Sequence, residues 1–169
     1  MPESEIGRFL AAWEQEADRT ERLLAALPPG QYDFRPDPGG RSLGELAWHL
    51  AEVDAYMSHV IEQGGYRAGD RPPNIVRPRT VEALAPAYAE IHVEAVDRIA
   101  HVTDADLARE IPVFREAMTI RTILWDAILG HAIHHRGQLS LMCRLTGARP
   151  PALYGPDREQ MAEMRRPTG

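Results

Sequence analysis

Apolar residues recur at three- and four-residue intervals along four stretches of the chain, and this spacing predicts amphipathic helices. The predicted helices run from about Ser4 to Leu27, from Ser42 to Gly64, from about Thr80 to Ile99, and from about Thr119 to Leu145. Loops rich in proline and glycine separate them, because neither residue continues a helix well. Four such helices without a convincing strand pattern predict an all-α fold, a four-helix bundle.

Local signals mark several of the helix ends. Ser42, followed three residues later by Glu45, forms a capping box in which each side chain accepts the other residue's backbone N–H. Thr80 is a suitable N-cap for the third helix. Gly147 is a suitable stop for the fourth helix.

The chain, residues 1–169, is interpreted as a single domain whose core spans about residues 4–147. Residues 102–118 are expected to form a connector that can include a short extended piece. Residues 148–169 are expected to form a tail, with at most a short helix, outside the core.

Composition excludes several classes of protein. A formal net charge of −6 argues against a general nucleic-acid binder. No apolar run approaches the roughly 18 residues that indicate a membrane span. The acidic N-terminus lacks the basic region of a signal peptide. Cys143 is the single cysteine, so no intrachain disulfide can form and a reducing cytoplasm is the expected location.

The predicted inward face of the fourth helix has three polar residues at its middle. Burying a polar group without a partner costs about 1–3 kcal/mol, so these residues need a compensating interaction. The face follows helical spacing through Ile120, Leu124, Ile128, His131, His135, Gln138, Met142 and Leu145.

His131 and His135 are four residues apart, which places them about 40° apart around a helix axis. Both rings can therefore converge on one point, and this geometry suits a divalent metal ion. His134 is rotated away from that point. The alternative is that these histidines are hydrogen-bonded core residues.

Two ligands rarely suffice for a metal site, so a third is expected from a facing helix. The best candidate is His49, which flanks the apolar face of the second helix. Glu45 and Glu52 lie one turn either side of it and are candidates to accept an imidazole N–H. Weaker ligand candidates are His59, His92 and His101.

Two further features bear on a substrate. Tyr56 lies two turns beyond His49 and is a candidate for the wall of a pocket. The arginines of the loop after the second helix could hold an anionic substrate, although solvated loop charge is the alternative reading. These arginines are Arg67, Arg71, Arg77 and Arg79.

Other catalytic motifs are missing from the sequence. The segment "HAIHH" lacks the glutamate of H-E-x-x-H, and neither G-x-S-x-G nor a phosphate-binding G-x-x-x-x-G-K-[ST] occurs. The inward carboxylates that a di-iron bundle requires are also missing. Cys143 lies off the histidine face and is expected to pack between helices.

The segments "SLGELAWHLAEVDAYM" and "GHAIHHRGQLSLMCRLTG" together resemble the DinB-like (DinB/YfiT) superfamily of bacterial four-helix proteins. The resemblance implies an up-down-down-up bundle, often dimeric. It implies that His49, His131 and His135 bind a divalent metal with open coordination positions. His134 and Gln138 belong to the signature; they are not expected as direct ligands and are candidates to support the ligands or line the pocket.

The resemblance also suggests an activity. Members of known activity include thiol-dependent S-transferases that use bacillithiol or mycothiol, and related isomerases. We therefore expect a cytoplasmic, homodimeric, metal-dependent thiol S-transferase or hydrolase that acts on a small molecule and binds neither nucleic acid nor membrane. Zinc or nickel is the first expectation for the metal, with manganese or iron as alternatives. The competing hypothesis is a non-catalytic metal-stabilised bundle or a stress-response binding or interaction module.

Overall fold

Four long helices form the body of the protein, whose computed structural model describes residues 4–166. They are α1 (Glu5–Ala25), α2 (Leu43–Gln63), α3 (Leu84–Ile99) and a composite fourth helix, α4. The parts of α4 are a helical turn at Ile120–Thr122, a π-helical segment at Ile123–Gly130 and an α-helix at His131–Leu145. The predicted all-α bundle is confirmed.

Two smaller elements complete the structure. The connector before α4 contains an antiparallel hairpin of β1 (Glu110–Val113) and β2 (Glu116–Thr119). This hairpin is the extended piece that the sequence suggested. The last helix, α5 (Arg158–Met164), buries none of its residues. Within residues 4–166, no helix has both the length and the apolar character needed to cross a membrane.

The helices run up, down, down and up. Arg121, at the start of α4, pairs with Glu5 at the start of α1 (2.8 Å). Cys143, near the end of α4, contacts the carbonyl of Ala26 just after α1 (4.0 Å), so α1 and α4 are parallel. The first residues of α2 and α3 pack in the same core cluster as the last turn of α1, so these two helices run the opposite way. This is the topology that the resemblance implied.

The third helix begins later than the sequence suggested. Its N-cap is Ala83, without a side-chain cap bond, whereas Thr80 lies in the preceding turn. Pro86 explains the difference. A helix capped by Thr80 would place Pro86 beyond the first turn, where it lacks the N–H for an intrahelical bond and its ring clashes with the preceding turn. Starting at Leu84 keeps Pro86 within the first turn, where proline is tolerated.

A buried carboxylate ties three helices together. Asp54 on α2 is 1% exposed and accepts hydrogen bonds from Trp13 Nε1 (3.3 Å), Tyr88 Oη (3.1 Å) and His92 Nδ1 (2.9 Å). Each donor lies on α1 or α3. Asp54 is therefore satisfied, as buried polar groups usually are, and fixes how the helices sit against α2.

The π-helical segment rotates the buried face of α4. Its core residues are spaced five apart, as Ile123 with Ile128 and Leu124 with Leu129, which fits i→i+5 hydrogen bonding. The buried face then continues through residues of which only Met142 belongs to the face that the sequence predicted. Those residues are Ala132, Arg136, Leu139, Met142 and Cys143.

Arg136 is fully buried, at 0% exposure, although its position was not predicted to face the core. It donates to the carboxylate of Glu16 and the hydroxyl of Tyr154. It also donates to the Glu16 carbonyl (2.6 Å) and the Thr20 hydroxyl (3.0 Å). The tail is therefore attached to the bundle, because Tyr154 hydrogen-bonds with this network and Leu153 packs against the core.

Removing the carboxylate from this network should be strongly destabilising. In Glu16→Ala the guanidinium of Arg136 stays buried without its charged partner, and we expect a loss of about 3–5 kcal/mol in the free energy of unfolding. Urea denaturation measures the loss. The double variant Glu16→Ala/Arg136→Met should recover much of it, because the uncompensated charge is gone.

The matched control is Asp18→Ala on the same helix. The Asp18 side chain is 69% exposed and pairs with Arg22 at 3.0 Å, so its loss should change the free energy of unfolding by at most about 1 kcal/mol. Equal losses in Glu16→Ala and Asp18→Ala would contradict the account.

Candidate metal centre

Three imidazoles meet where α2 faces α4. His49 Nε2 lies 3.2 Å from His131 Nε2, and one ring nitrogen from each of His49, His131 and His135 lies within 4.8 Å of the others. All three residues are partly buried. Two zinc ligands at about 2.0–2.1 Å from the ion can be at most about 4.2 Å apart, so the close pair satisfies this limit. The cluster is compatible with metal binding.

The local structure of α4 brings two of these rings to the cluster. The α-helical part begins at His131, so His131 and His135 stand one turn apart with ring centroids 4.3 Å apart. Because the buried face now runs through Arg136, both histidines lie at the edge of the core. His49 completes the group, with its ring centroid 4.9 Å from that of His135.

Two neighbours orient these rings. Glu52 Oε2 lies 3.3 Å from His49 Nδ1, and Gln138 Oε1 lies 2.6 Å from His135 Nδ1. Both oxygens accept a hydrogen bond from Nδ1–H, so in each ring Nε2 keeps its lone pair for a ligand bond. Glu52 and Gln138 thus occupy the supporting positions that the sequence analysis suggested for them.

Glu52 is itself held by an arginine. Arg77 Nη2 donates to Glu52 Oε1 at 3.1 Å. The hydrogen bond from His49 lowers the pKa of Glu52, and the hydrogen bond and charge of Arg77 lower it further against the opposing effect of burial. Glu52 therefore remains an ionised acceptor for the imidazole.

Burial and mutual repulsion oppose protonation of His131 and His135. Desolvation, followed by the charges of His135 and His49, lowers the pKa of His131 to about 4. Desolvation also lowers the pKa of His135, against the opposing hydrogen bond to Gln138. Neutral imidazole is the form that binds metal, so no proton has to be displaced from His131 at pH 7.

The other suggested residues lie in different places. Tyr56 lines the cavity beside the histidines. Glu45 caps α2 through Ser42 and pairs with Arg35 at 2.8 Å, and no hydrogen bond joins it to an imidazole among the described residues. His134 is exposed, with its ring centroid 5.0 Å from that of His135, and does not join the cluster.

The three weaker candidates lie outside the cluster as well. His92 donates to the buried carboxylate of Asp54. His59 lies between Glu62 (3.4 Å) and Asp70 (3.5 Å). His101 is exposed at the end of α3.

A cavity of about 790 Å³ opens onto His49 and His131. One wall is formed by α2 and the opposite wall by the β1–β2 hairpin. None of the four loop arginines suggested from the sequence lines it, and Arg77 instead holds Glu52. The arginines that do line it are Arg41, next to the cap of α2, and Arg115, at the hairpin tip. Neither carried a sequence signal, because only the tertiary fold brings them to the histidines.

The fold and the histidine cluster define a helical bundle with a site compatible with metal binding. The sequence profile of the DinB family matches residues 1–167, and the chain belongs to this family. The resemblance seen in the two sequence segments is thereby confirmed.

Individual relatives agree with this assignment. Uncharacterized protein YrdA of Bacillus subtilis (strain 168) is 28% identical over 160 residues, covering 94% of this chain and 93% of that protein. A crystal structure of a DinB-like protein from Bacillus cereus ATCC 10987 superposes with a TM-score of 0.71 at 26% identity, covering 91% of this chain and 100% of that one. The DinB-like protein YjoA of Bacillus subtilis shares the fold at 23% identity, with a TM-score of 0.67 over 86% of this chain and 97% of that one.

The low pKa of His131 predicts a pH dependence of stability in metal-free protein. The folded chain takes up this proton only near pH 4, whereas an unfolded chain takes it up near pH 6.5. Between these values the unfolded state binds more protons, so this residue lowers the free energy of unfolding as the pH falls from about 6.5 to about 4. Urea denaturation in the presence of a chelator measures the free energy of unfolding at pH 7 and at pH 5. Its decrease between these two pH values should be smaller in His131→Gln than in wild type. Identical losses would contradict the burial of a neutral His131.

Proposed function

We propose that His49, His131 and His135 bind one divalent metal ion, and that the protein uses it as a thiol S-transferase acting on a small molecule. The observation that supports this most is the convergence of three imidazoles, with no carboxylate among them, beside a cavity of about 790 Å³. The family assignment supports it as well, because the two segments that carry the resemblance contain these histidines.

The donor set fits a divalent ion and favours an exposed reactive position. Three neutral ligands leave the ion its full double charge, and the cavity provides room for a ligand that is not a protein side chain. When bound, such an ion lowers the pKa of a coordinated thiol so that the reactive thiolate is present at neutral pH. Imidazole suits zinc and nickel, which we propose first, and also iron; manganese is a further alternative.

The chain's own residues would position the reactants. Glu52 and Gln138 hold two of the imidazoles in the orientation that leaves Nε2 available. Arg41 lies beside the histidines, where its positive charge favours an anionic sulfur or acceptor group. No cysteine serves as a nucleophile, because Cys143 is fully buried against α1 and burial raises the pKa of its thiol.

The alternatives predict different surroundings for the cluster. A purely structural metal would have a closed site with four protein ligands, whereas this cluster has three histidines and borders a cavity. A hydrolase would use the same residues with water in place of the thiol. The cytoplasmic location and the homodimer stay predictions.

A thiol-binding experiment tests the proposed transferase. Cobalt-loaded protein should gain a sulfur-to-cobalt charge-transfer absorption when bacillithiol is added. Zinc-loaded protein should accelerate the reaction of the thiol with monochlorobimane, in which a carbon–sulfur bond forms and chloride leaves. His131→Ala should show neither effect, whereas the control His134→Ala, on the exposed side of the same helix, should show both.

The other outcomes separate the alternatives. If cobalt binds, no thiol absorption appears and p-nitrophenyl acetate is hydrolysed in a metal-dependent way, the hydrolase is supported and the transferase is wrong. If cobalt binds and neither reaction occurs, the non-catalytic bundle is supported.

A further inference from the structure

The wall of the cavity opposite α2 is a hairpin with an exposed aromatic tip. Phe114 is 66% exposed, and its ring centroid lies 4.7 Å from that of Tyr66. Its φ is +53°, which is unfavourable for a bulky aromatic residue. Strained backbone concentrates at ligand-binding sites, where it holds a side chain in a required place. The Phe114–Tyr66 pair therefore provides an apolar surface for something that enters the cavity.

Apolar side chains also form a large part of the remaining lining. The residues involved belong to α2, the hairpin and the π-helical segment, and they include Val53, Met57, Val113, Met118 and Ala127. A cavity of about 790 Å³ lies within the range of about 300–1,000 Å³ that small-molecule sites occupy. The volume and lining fit a molecule with a compact apolar body.

The positively charged side chains of the cavity are available to bind a ligand. Arg41 and Arg115 line it, both are exposed, and neither forms an ion pair within residues 4–166. Arg41 also lines a second cavity next to His135, so it lies between the two openings around the cluster. Arg115 lies at the hairpin tip beside Phe114. One cation is thus near the histidines and the other is at the rim.

The carboxylates of the cavity do not neutralise these two arginines. Glu52 is engaged by Arg77 (3.1 Å) and by His49. Glu116, at the rim next to Arg115, is the other carboxylate in the lining. The cavity therefore has two guanidinium groups without an ion-pair partner in the described part of the chain and one such carboxylate, so its unpaired side chains carry a net positive charge. A guanidinium group binds carboxylate or sulfonate groups through its planar set of donors.

We propose that the small-molecule acceptor of this site is an amphipathic anion. Its aromatic or aliphatic body lies against Phe114 and Tyr66, and its carboxylate- or sulfonate-like group is attracted into the cavity by the positive charges of Arg41 and Arg115. This assignment rests on the proposed function, because it places the reacting end of the acceptor at the histidines. The recognition itself uses residues that are not metal ligands.

Two probes with the same ring system but a different charge measure how much the negative group contributes to binding. Naphthalene-2-sulfonate and naphthalene-2-methanol are titrated into wild type by calorimetry, both metal-free and zinc-loaded. The sulfonate should bind at least about tenfold tighter than the alcohol, a difference of about 1.4 kcal/mol, and the preference should weaken with added salt. Because the arginines act without the metal, the preference should already be present in the metal-free protein.

Substitutions assign the preference to residues. The double variant Arg41→Gln/Arg115→Gln should bind both probes equally, and Glu116→Gln should bind the sulfonate more tightly than wild type does. Phe114→Asn removes the ring, and asparagine tolerates the positive φ, so this variant should weaken both probes by the same factor. The control is Arg71→Gln, an exposed arginine away from the cavity, which should leave both affinities unchanged.

Several results would overturn the inference. These are an equal affinity for the two probes in wild type, a sulfonate preference that survives in the double arginine variant, and a preference that exists only with zinc. Competition between the sulfonate and glutathione, a thiol with carboxylates, would assign the arginines to the thiol instead of the acceptor. Because the probes are tested without metal, a failed metal or thiol experiment would remove the proposed reaction and leave the binding result to be judged separately.

Discussion

Three imidazoles packed against each other in the wall of a helical bundle cannot all be protonated at once. With His49 Nε2 and His131 Nε2 3.2 Å apart, a second proton at this contact would place like charges side by side in a partly desolvated region. Burial opposes protonation of His131 and His135, and acceptors on Nδ1 of His49 and His135 direct the remaining lone pairs of these two rings inward. A neutral, inward-facing set of imidazole nitrogens is also what a divalent cation requires.

The rest of the bundle keeps this polar group at the edge of the core. Asp54 fixes α2 against α1 and α3, and Arg136 fixes α4 against α1 through Glu16. These two buried charges lie on the helices that carry the histidines, and each is hydrogen-bonded to side chains of neighbouring helices. The π-helical segment then turns α4 so that Arg136 faces the core, while His131 faces the main cavity and His135 faces the second one. Its position directly before the cluster agrees with the tendency of π-helical segments to occur at functional sites.

Local spacing predicted much of the site, and tertiary contacts determined the rest. The four-residue interval between His131 and His135, and the place of His49 beside an apolar face, were enough to predict that the three rings meet. The rotation of α4 was missed because a straight α-helix was assumed, although the five-residue spacing of apolar pairs in "ILWDAILG" signals a π-helix. Loop charges were the least predictable feature. Arg77 binds Glu52, and Arg41 lines the cavity, through contacts between segments that are far apart in the sequence, which local spacing cannot predict.

The metal content of the protein tests the central claim most directly. Tag-free wild type and variants are incubated with zinc, nickel, manganese or iron, dialysed, and measured by elemental analysis. We predict about one divalent ion per chain in wild type and in His134→Ala, and loss of the ion in His49→Ala, His131→Ala and His135→Ala. A wild type that stays metal-free with all four metals, or an ion that survives all three substitutions, would contradict the account.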